Sequence, residues 1–161
     1  MTVIKPTFST LIKDPVLFLG LGLGSGLAPF APGTAGTLVA LLFVPLLAYL
    51  SFWPLLSVLA ITAIAGVFIC GVSAQKLESK DPSCIVWDEF VGLWIALAGF
   101  PPTWPWLVAG FLIFRYFDIV KPWPIRVIDK KVPGGLGIML DDILAGIMTW
   151  LVLSVGAYLI G

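Results

Sequence analysis

The chain has 161 residues, enough for one domain, and is 60% hydrophobic and 11% charged with a mean hydropathy of +1.09. Soluble domains are about 45–50% apolar and about 25% charged, so this is the composition of an integral membrane protein. A net charge of zero leaves no basic face for nucleic acid, and the lack of any histidine excludes a Ser-His-Asp triad, a phosphohistidine intermediate and a histidine metal site.

At the N-terminus, Lys5 and Lys13 precede the run "VLFLGLGLG". This loosely resembles a signal peptide, but proline follows each candidate cleavage point, Ala28 and Ala31, so the segment is expected to remain. The glycine-rich stretch 16–30, followed by "APGTAG", is too short and broken to span a membrane and predicts a re-entrant or broken segment. A bilayer core about 30 Å thick needs roughly 20 apolar residues of helix. Against that length, 36–51 is a marginal span carrying Pro45, while 53–75, 84–100, 104–120 and 138–160 are predicted spans. Cys70 and Cys84 match no zinc or redox spacing and read as buried thiols.

Positive charge orients the spans. Lys5 and Lys13, Lys76 and Lys80, and Lys121, Arg126, Lys130 and Lys131 fall in alternate loops, and the turns "SFWP" and "GFPPTWPW" between them are uncharged. The pattern predicts an all-α polytopic bundle: a cytoplasmic N-terminus, five crossings, and a 16–30 segment that enters and leaves on the cytoplasmic side. Trp53, Trp104 and Trp106 then lie where interfacial aromatics belong.

In this topology the embedded polar residues share one depth. Asp88 and Glu89 start the third crossing, Arg115 and Asp118 end the fourth, and Asp141 and Asp142 start the fifth. Ser25, Thr34 and Thr37 flank the broken segment at the same face. Acids in membrane helices are expensive, at roughly 2.5–3.5 kcal/mol each at the centre. Interfacial ion pairing is the alternative reading for Asp118, three residues from both Arg115 and Lys121. It accounts less well for the two acidic pairs, which have no base three or four residues away; a divalent cation explains them better, and Mg²⁺ favours a few carboxylates, water and substrate phosphate.

Gly92 and Gly146 each follow an acid by four residues, on the same helix face, where they let another helix approach or leave room for a headgroup. The run "GGLGIMLDD" opens a helix and offers free backbone amides to an anion. The run "GSGLAPFAPGTAG" does the same or, alternatively, packs closely through Gly20, Gly22, Gly24 and Gly26. Pro122 and Pro124 end the fourth crossing, bringing Arg115, Lys121 and Arg126 near the surface, to clamp a phosphate or to bind anionic lipid.

Together, "GSGLAPFAPGTAGTL", "IVWDEFVGLW", "FRYFDIVKPWPIR" and "GGLGIMLDDILAGI" resemble the phosphatidylglycerophosphatase A family in order and spacing, across residues 24 to 147. The resemblance implies a multi-pass phosphatase of the bacterial inner membrane. It would use Mg²⁺ to convert phosphatidylglycerophosphate to phosphatidylglycerol, with the active site on the cytoplasmic face. On that reading Asp88, Glu89, Asp141 and Asp142 are the expected metal ligands, with Asp118 a further ligand or general base. Arg115 and Lys121 are expected to bind the reacting phosphate, and Ser25, Thr34, Thr37, Arg126, Gly134 and Gly135 the rest of the substrate. A metal-activated water is the expected nucleophile, with an aspartyl phosphoenzyme as the alternative. Cys70 and Cys84 lack the arginine of a cysteine phosphatase loop, and no DxDxT motif occurs. The rival function is a small ion-coupled transporter, whose acids belong near the bilayer midplane. A CDP-alcohol phosphotransferase is the third, but its DG-containing acidic motif is absent.

Overall fold

The computed structural model describes residues 6–78 and 82–160, and these are all-helical, with no strand among them. Lys5 and Lys80, used above for orientation, lie outside the described residues.

The N-terminal region folds as short pieces. Helix α1 (Phe8–Lys13) is capped by Thr7, and α2 (Pro15–Gly20) by Asp14, whose carboxylate accepts from the amides of Val16 and Leu17 at 3.1 and 3.2 Å. The chain then turns through a 3₁₀ segment, Gly22–Leu27, because Gly22, Leu23 and Gly24 all adopt positive φ. This is the broken segment that the sequence predicts. Gly26 sits directly under the Cys84 carbonyl, so a side chain there would strike backbone; close packing accounts for this glycine.

The expected span 36–51 is two helices, α3 (Pro32–Leu41) and α4 (Val44–Leu47). Pro45 explains the division: proline fits a first helical turn but breaks the middle of a helix, and here it stands in the first turn of α4.

The predicted spans at 53–75 and 104–120 are α5 (Phe52–Lys76) and α7 (Trp104–Val120). The last, expected from residue 138, is α9 (Gly134–Ile160), one turn longer at its start. Between α7 and α9 lies α8 (Ile125–Lys131). Only α5 and α9, among the described residues, are long and apolar enough to cross a membrane by themselves.

The run 84–100 departs most from expectation: its helix, α6 (Trp87–Ala96), has 10 residues. At 1.5 Å per residue it covers about half of a bilayer core. The sequence could not show this, since hydropathy stays high through the non-helical residues at both ends. The fold makes a short helix tolerable, because every α6 residue is buried or half-buried, enclosed by α3, α5, α7 and α9. Indole N–H groups pin the surroundings: Trp94 donates to the Ala40 carbonyl at 3.0 Å, Trp87 to Thr62 at 3.2 Å, and Trp150 to Ala98 at 2.9 Å.

Glycines decide how closely α6 and α9 approach. A methyl on Gly92 would lie 2.7 Å from the Asp142 carbonyl oxygen, and one on Gly146 would overlap the Gly92 carbonyl. Of the two uses open to these residues, the helix crossing is the one realised, and no headgroup fits at that point. Gly135 likewise lies against the Val67 carbonyl and Gly71, seating the start of α9 on α5. The outer surface is apolar: Trp53, Ile61, Ile64 and Phe68 of α5, Leu112 and Ile119 of α7, and Leu151, Val155 and Leu159 of α9 are all exposed. Cys70 and Cys84 are buried thiols without a disulfide.

Candidate active site

Four helices carry the polar cluster to one end of the bundle. Thr37 comes from α3, Asp88 and Glu89 from the first turn of α6, Arg115 and Asp118 from the last turns of α7, and Asp141 and Asp142 from α9. Lys121 caps α7 with φ 47°, turning the chain towards α8. Glu89, Asp141 and Asp142 are buried.

Arg115 is the hub on one side. One guanidinium nitrogen lies 3.1 Å from Glu89 Oε2 and 2.5 Å from Asp118 Oδ2. Glu89 Oε2 also accepts from the Thr37 hydroxyl at 2.6 Å. Gly33 makes the space, since a methyl there would meet both Glu89 and the Arg115 guanidinium. Lys121 is the hub on the other side, 2.5 Å from Asp141 Oδ2 and 2.7 Å from Asp129 Oδ1. Burial alone would push the Lys121 ammonium down, but those two carboxylates outweigh it and hold its pKa above the ordinary lysine value. Lys121 is therefore a cation throughout the physiological range.

Each acidic pair is thus divided. Glu89 and Asp141 face bases brought from other helices, not from three or four residues along their own. Asp142 does something else. It is 2% exposed, it feels the charges of Asp118, Asp88, Asp141 and Glu89, and its Oδ2 has no hydrogen-bond partner in the structure. A buried, unsatisfied carboxylate oxygen calls for an explanation, and a cation is one. The donor set is all hard oxygen, which suits Mg²⁺ rather than a softer metal. Among the described residues no three acids already stand close enough to grip one ion; Glu89, Asp118 and Asp141 are turned to their bases instead. The donors fit Mg²⁺ in kind.

Ser25 donates to the Gly22 carbonyl at 2.7 Å, within the 3₁₀ segment. Thr34 is half-buried on α3, one turn before Thr37. Arg126 is exposed on α8 and lines a cleft of about 520 Å³. Gly134 and Gly135 line a different cleft of about 650 Å³, between α5, α8 and α9. Two residues escaped sequence reasoning. Asp129 lies beyond two prolines from the lysine that it pairs with, so no local spacing reveals it. Gly33 was visible only as part of "APGTAG".

The phosphatidylglycerophosphatase A family model matches residues 18–157. The chain belongs to the phosphatidylglycerophosphatase A family. It is 46% identical over 140 residues to phosphatidylglycerophosphatase A of Escherichia coli (strain K12), covering 86% of this chain and 81% of that one. The Haemophilus influenzae phosphatidylglycerophosphatase A is 42% identical over 149 residues, covering 91% of each chain. A Bacteroides thetaiotaomicron protein, provisionally named a phosphatidylinositol-3-phosphatase, is 44% identical over 154 residues, covering 91% of this chain and 96% of its own. No solved structure matches the chain. Membership in the phosphatidylglycerophosphatase A family makes the chain an enzyme, a phosphatase, and its two long apolar helices associate it with a membrane.

Proposed function

We propose that the chain hydrolyses the terminal phosphomonoester of phosphatidylglycerophosphate to phosphatidylglycerol and phosphate, with Mg²⁺, at the cytoplasmic leaflet of the bacterial inner membrane. The observation that carries this reading is the cluster of acids around the buried, unpartnered Asp142 oxygen. A phosphomonoester carries about −1.5 to −2 charge at neutral pH, so it cannot approach such a cluster unless cations intervene. Asp88, Glu89, Asp141 and Asp142 are the residues that would hold Mg²⁺. When bound, the ion would neutralise phosphoryl oxygens and acidify the attacking water.

The chain's own residues do the positioning. The Arg115 Nε is buried without a hydrogen-bond partner, so the guanidinium keeps a donor for a phosphate oxygen while Glu89 and Asp118 engage one terminal nitrogen. Lys121 has three N–H donors; Asp129 and Asp141 take two, and the third serves the phosphate. These cations stabilise the charge that spreads over the phosphoryl oxygens in the transition state. Thr37 fixes the Glu89 carboxylate. Asp118 would ligate the ion or accept the proton of the attacking water.

The topology in this reading has five crossings: α5, α7 and α9, together with 32–47 and 84–100, whose non-helical parts are sheltered by protein. Irregular backbone is tolerated at membrane depth only where it is so sheltered, and Cys84, Ile85 and Val86 are buried. Gathering the acids at one face speaks against a transporter, whose site belongs at the midplane.

The test is phosphate release by purified protein in neutral detergent, with Mg²⁺ or with EDTA. Phosphatidate and phosphatidylinositol 3-phosphate serve as competing substrates, the second because of the Bacteroides relative's name. Turnover of phosphatidylglycerophosphate that vanishes in EDTA and returns with Mg²⁺ is expected. Full turnover in EDTA, or none on this lipid, would overturn the proposal.

A further inference from the structure

The proposed substrate carries two phosphates, a terminal monoester and, one glycerol away, the diester of the lipid itself. The cluster above accounts for the monoester alone. Next to it lies the cleft of about 520 Å³ lined by Val120, Lys121, Pro122, Trp123, Arg126, Val127, Lys130 and Lys131. Its charged lining is four cations and no acid. Lys121 is committed to Asp129 and Asp141, whereas Arg126, Lys130 and Lys131 make no ion pair among the described residues.

Two features give this cleft a direction and a depth. Lys121 is common to both places: it touches Asp141 of the acidic cluster and forms part of the cleft wall. The rim is apolar and open, with Trp123 79% and Val120 52% exposed. Cations beside exposed tryptophan and aliphatic side chains are what the headgroup level of a bilayer accommodates.

We propose that this cleft is a phosphodiester subsite, in which Arg126 and Lys130 hold the lipid's own phosphate while its terminal phosphate reaches Arg115 and Lys121. The proposal rests on the function assigned above and adds to it how the enzyme selects a two-phosphate lipid. The planar guanidinium of Arg126 suits the two unesterified oxygens of a diester. The glycerol between the phosphates spans the position of Lys121.

The experiment compares wild type with Arg126→Ala and with Arg126→Ala/Lys130→Ala, in neutral detergent micelles. The KM for phosphatidylglycerophosphate should rise about tenfold, the scale of one or two lost charge-assisted hydrogen bonds, while kcat stays within about twofold. Phosphatidylglycerol keeps the diester and lacks the monoester, so its inhibition constant should rise in parallel. Inorganic phosphate lacks the diester, so its inhibition constant should stay the same. Arg126→Lys should recover part of the loss, and the thermal unfolding of each variant separates a binding defect from misfolding. An unmoved KM would overturn the subsite, as would a phosphate constant that shifts as much as the phosphatidylglycerol constant, which would mean general attraction of anions. If wild type itself leaves phosphatidylglycerophosphate intact, the assigned function fails instead.

Discussion

Replacing Gly146 by alanine should separate the two halves of the acidic cluster. The new methyl would overlap the Gly92 carbonyl oxygen and lie 3.1 Å from its carbon. Both atoms are backbone, so no side chain can swing aside, and α6 and α9 must part by roughly 1 Å to restore an ordinary carbon–oxygen contact of about 3.3–3.6 Å. Overpacking of this kind costs about 1–3 kcal/mol, against a gain of up to about 1 kcal/mol from alanine's helix propensity. The net loss of stability is therefore about 0–3 kcal/mol. The loss of turnover should be far larger. Asp88 and Glu89 ride on α6 and Asp141 and Asp142 on α9, and a misplacement of about 1 Å lowers rates about hundredfold. Gly156→Ala is the control, on the same helix with nothing within 4 Å of the added methyl; its turnover should stay within about twofold of wild type. Phosphate release and thermal unfolding in detergent measure both quantities. Turnover of Gly146→Ala within about threefold of wild type would refute the claim that this crossing sets the site's geometry.

Asp142→Asn should leave the protein folded and abolish turnover, because the amide keeps size and polarity but loses the charge; activity above about a tenth of wild type, a difference of about 1.4 kcal/mol, would remove Asp142 from the essential set. Arg115→Ala leaves Glu89 and Asp118 without their shared cation and should destabilise by about 3–5 kcal/mol, with Glu89→Gln in the same chain recovering part of it; equilibrium unfolding of the three variants reads the difference. Asp14, held below the ordinary carboxylate range chiefly by its hydrogen bond to Lys76, contributes stability that is present above its unfolded pKa and lost as pH falls through its lowered folded value. Asp14→Asn should flatten that acid-side loss by less than about 1 kcal/mol, the scale of an exposed ion pair, and an unchanged slope in thermal unfolding between pH 5 and pH 2 would show that the pair contributes nothing.

The helices that hydropathy describes well are those with an exposed apolar face. The ends of α7 at 104 and 120 coincide with the predicted run, because proline begins it and Lys121 with Pro122 ends it. The same reasoning overextends α6, whose flanking residues are apolar for a different reason: they are buried among other helices. For the site, charge bias in the loops leads to the expectation of a common depth for Asp88, Glu89, Asp118, Asp141 and Asp142, and the structure carries them in the first turn of α6, the last turns of α7 and the N-terminal part of α9. Which base meets which acid does not follow. Glu89 with Arg115 and Thr37, and Lys121 with Asp141 and Asp129, are pairings between elements, and a single sequence holds no distance between helices.

Enclosure of α6 also bears on how the chain is made. A helix of 10 residues with Asp88 and Glu89 in its first turn covers only about half of a bilayer core, so it is a poor candidate for partitioning into lipid by itself. It gains its surroundings from α3 and α5, synthesised before it, and from α7 and α9, synthesised after it. In the proposed five-crossing topology, insertion of this segment is a collective event: α6 stays beside its earlier neighbours until α9 closes over Gly92. In that topology a chain arrested before α9 would present its two acids to lipid, so completion of the acidic cluster and completion of membrane integration are the same step.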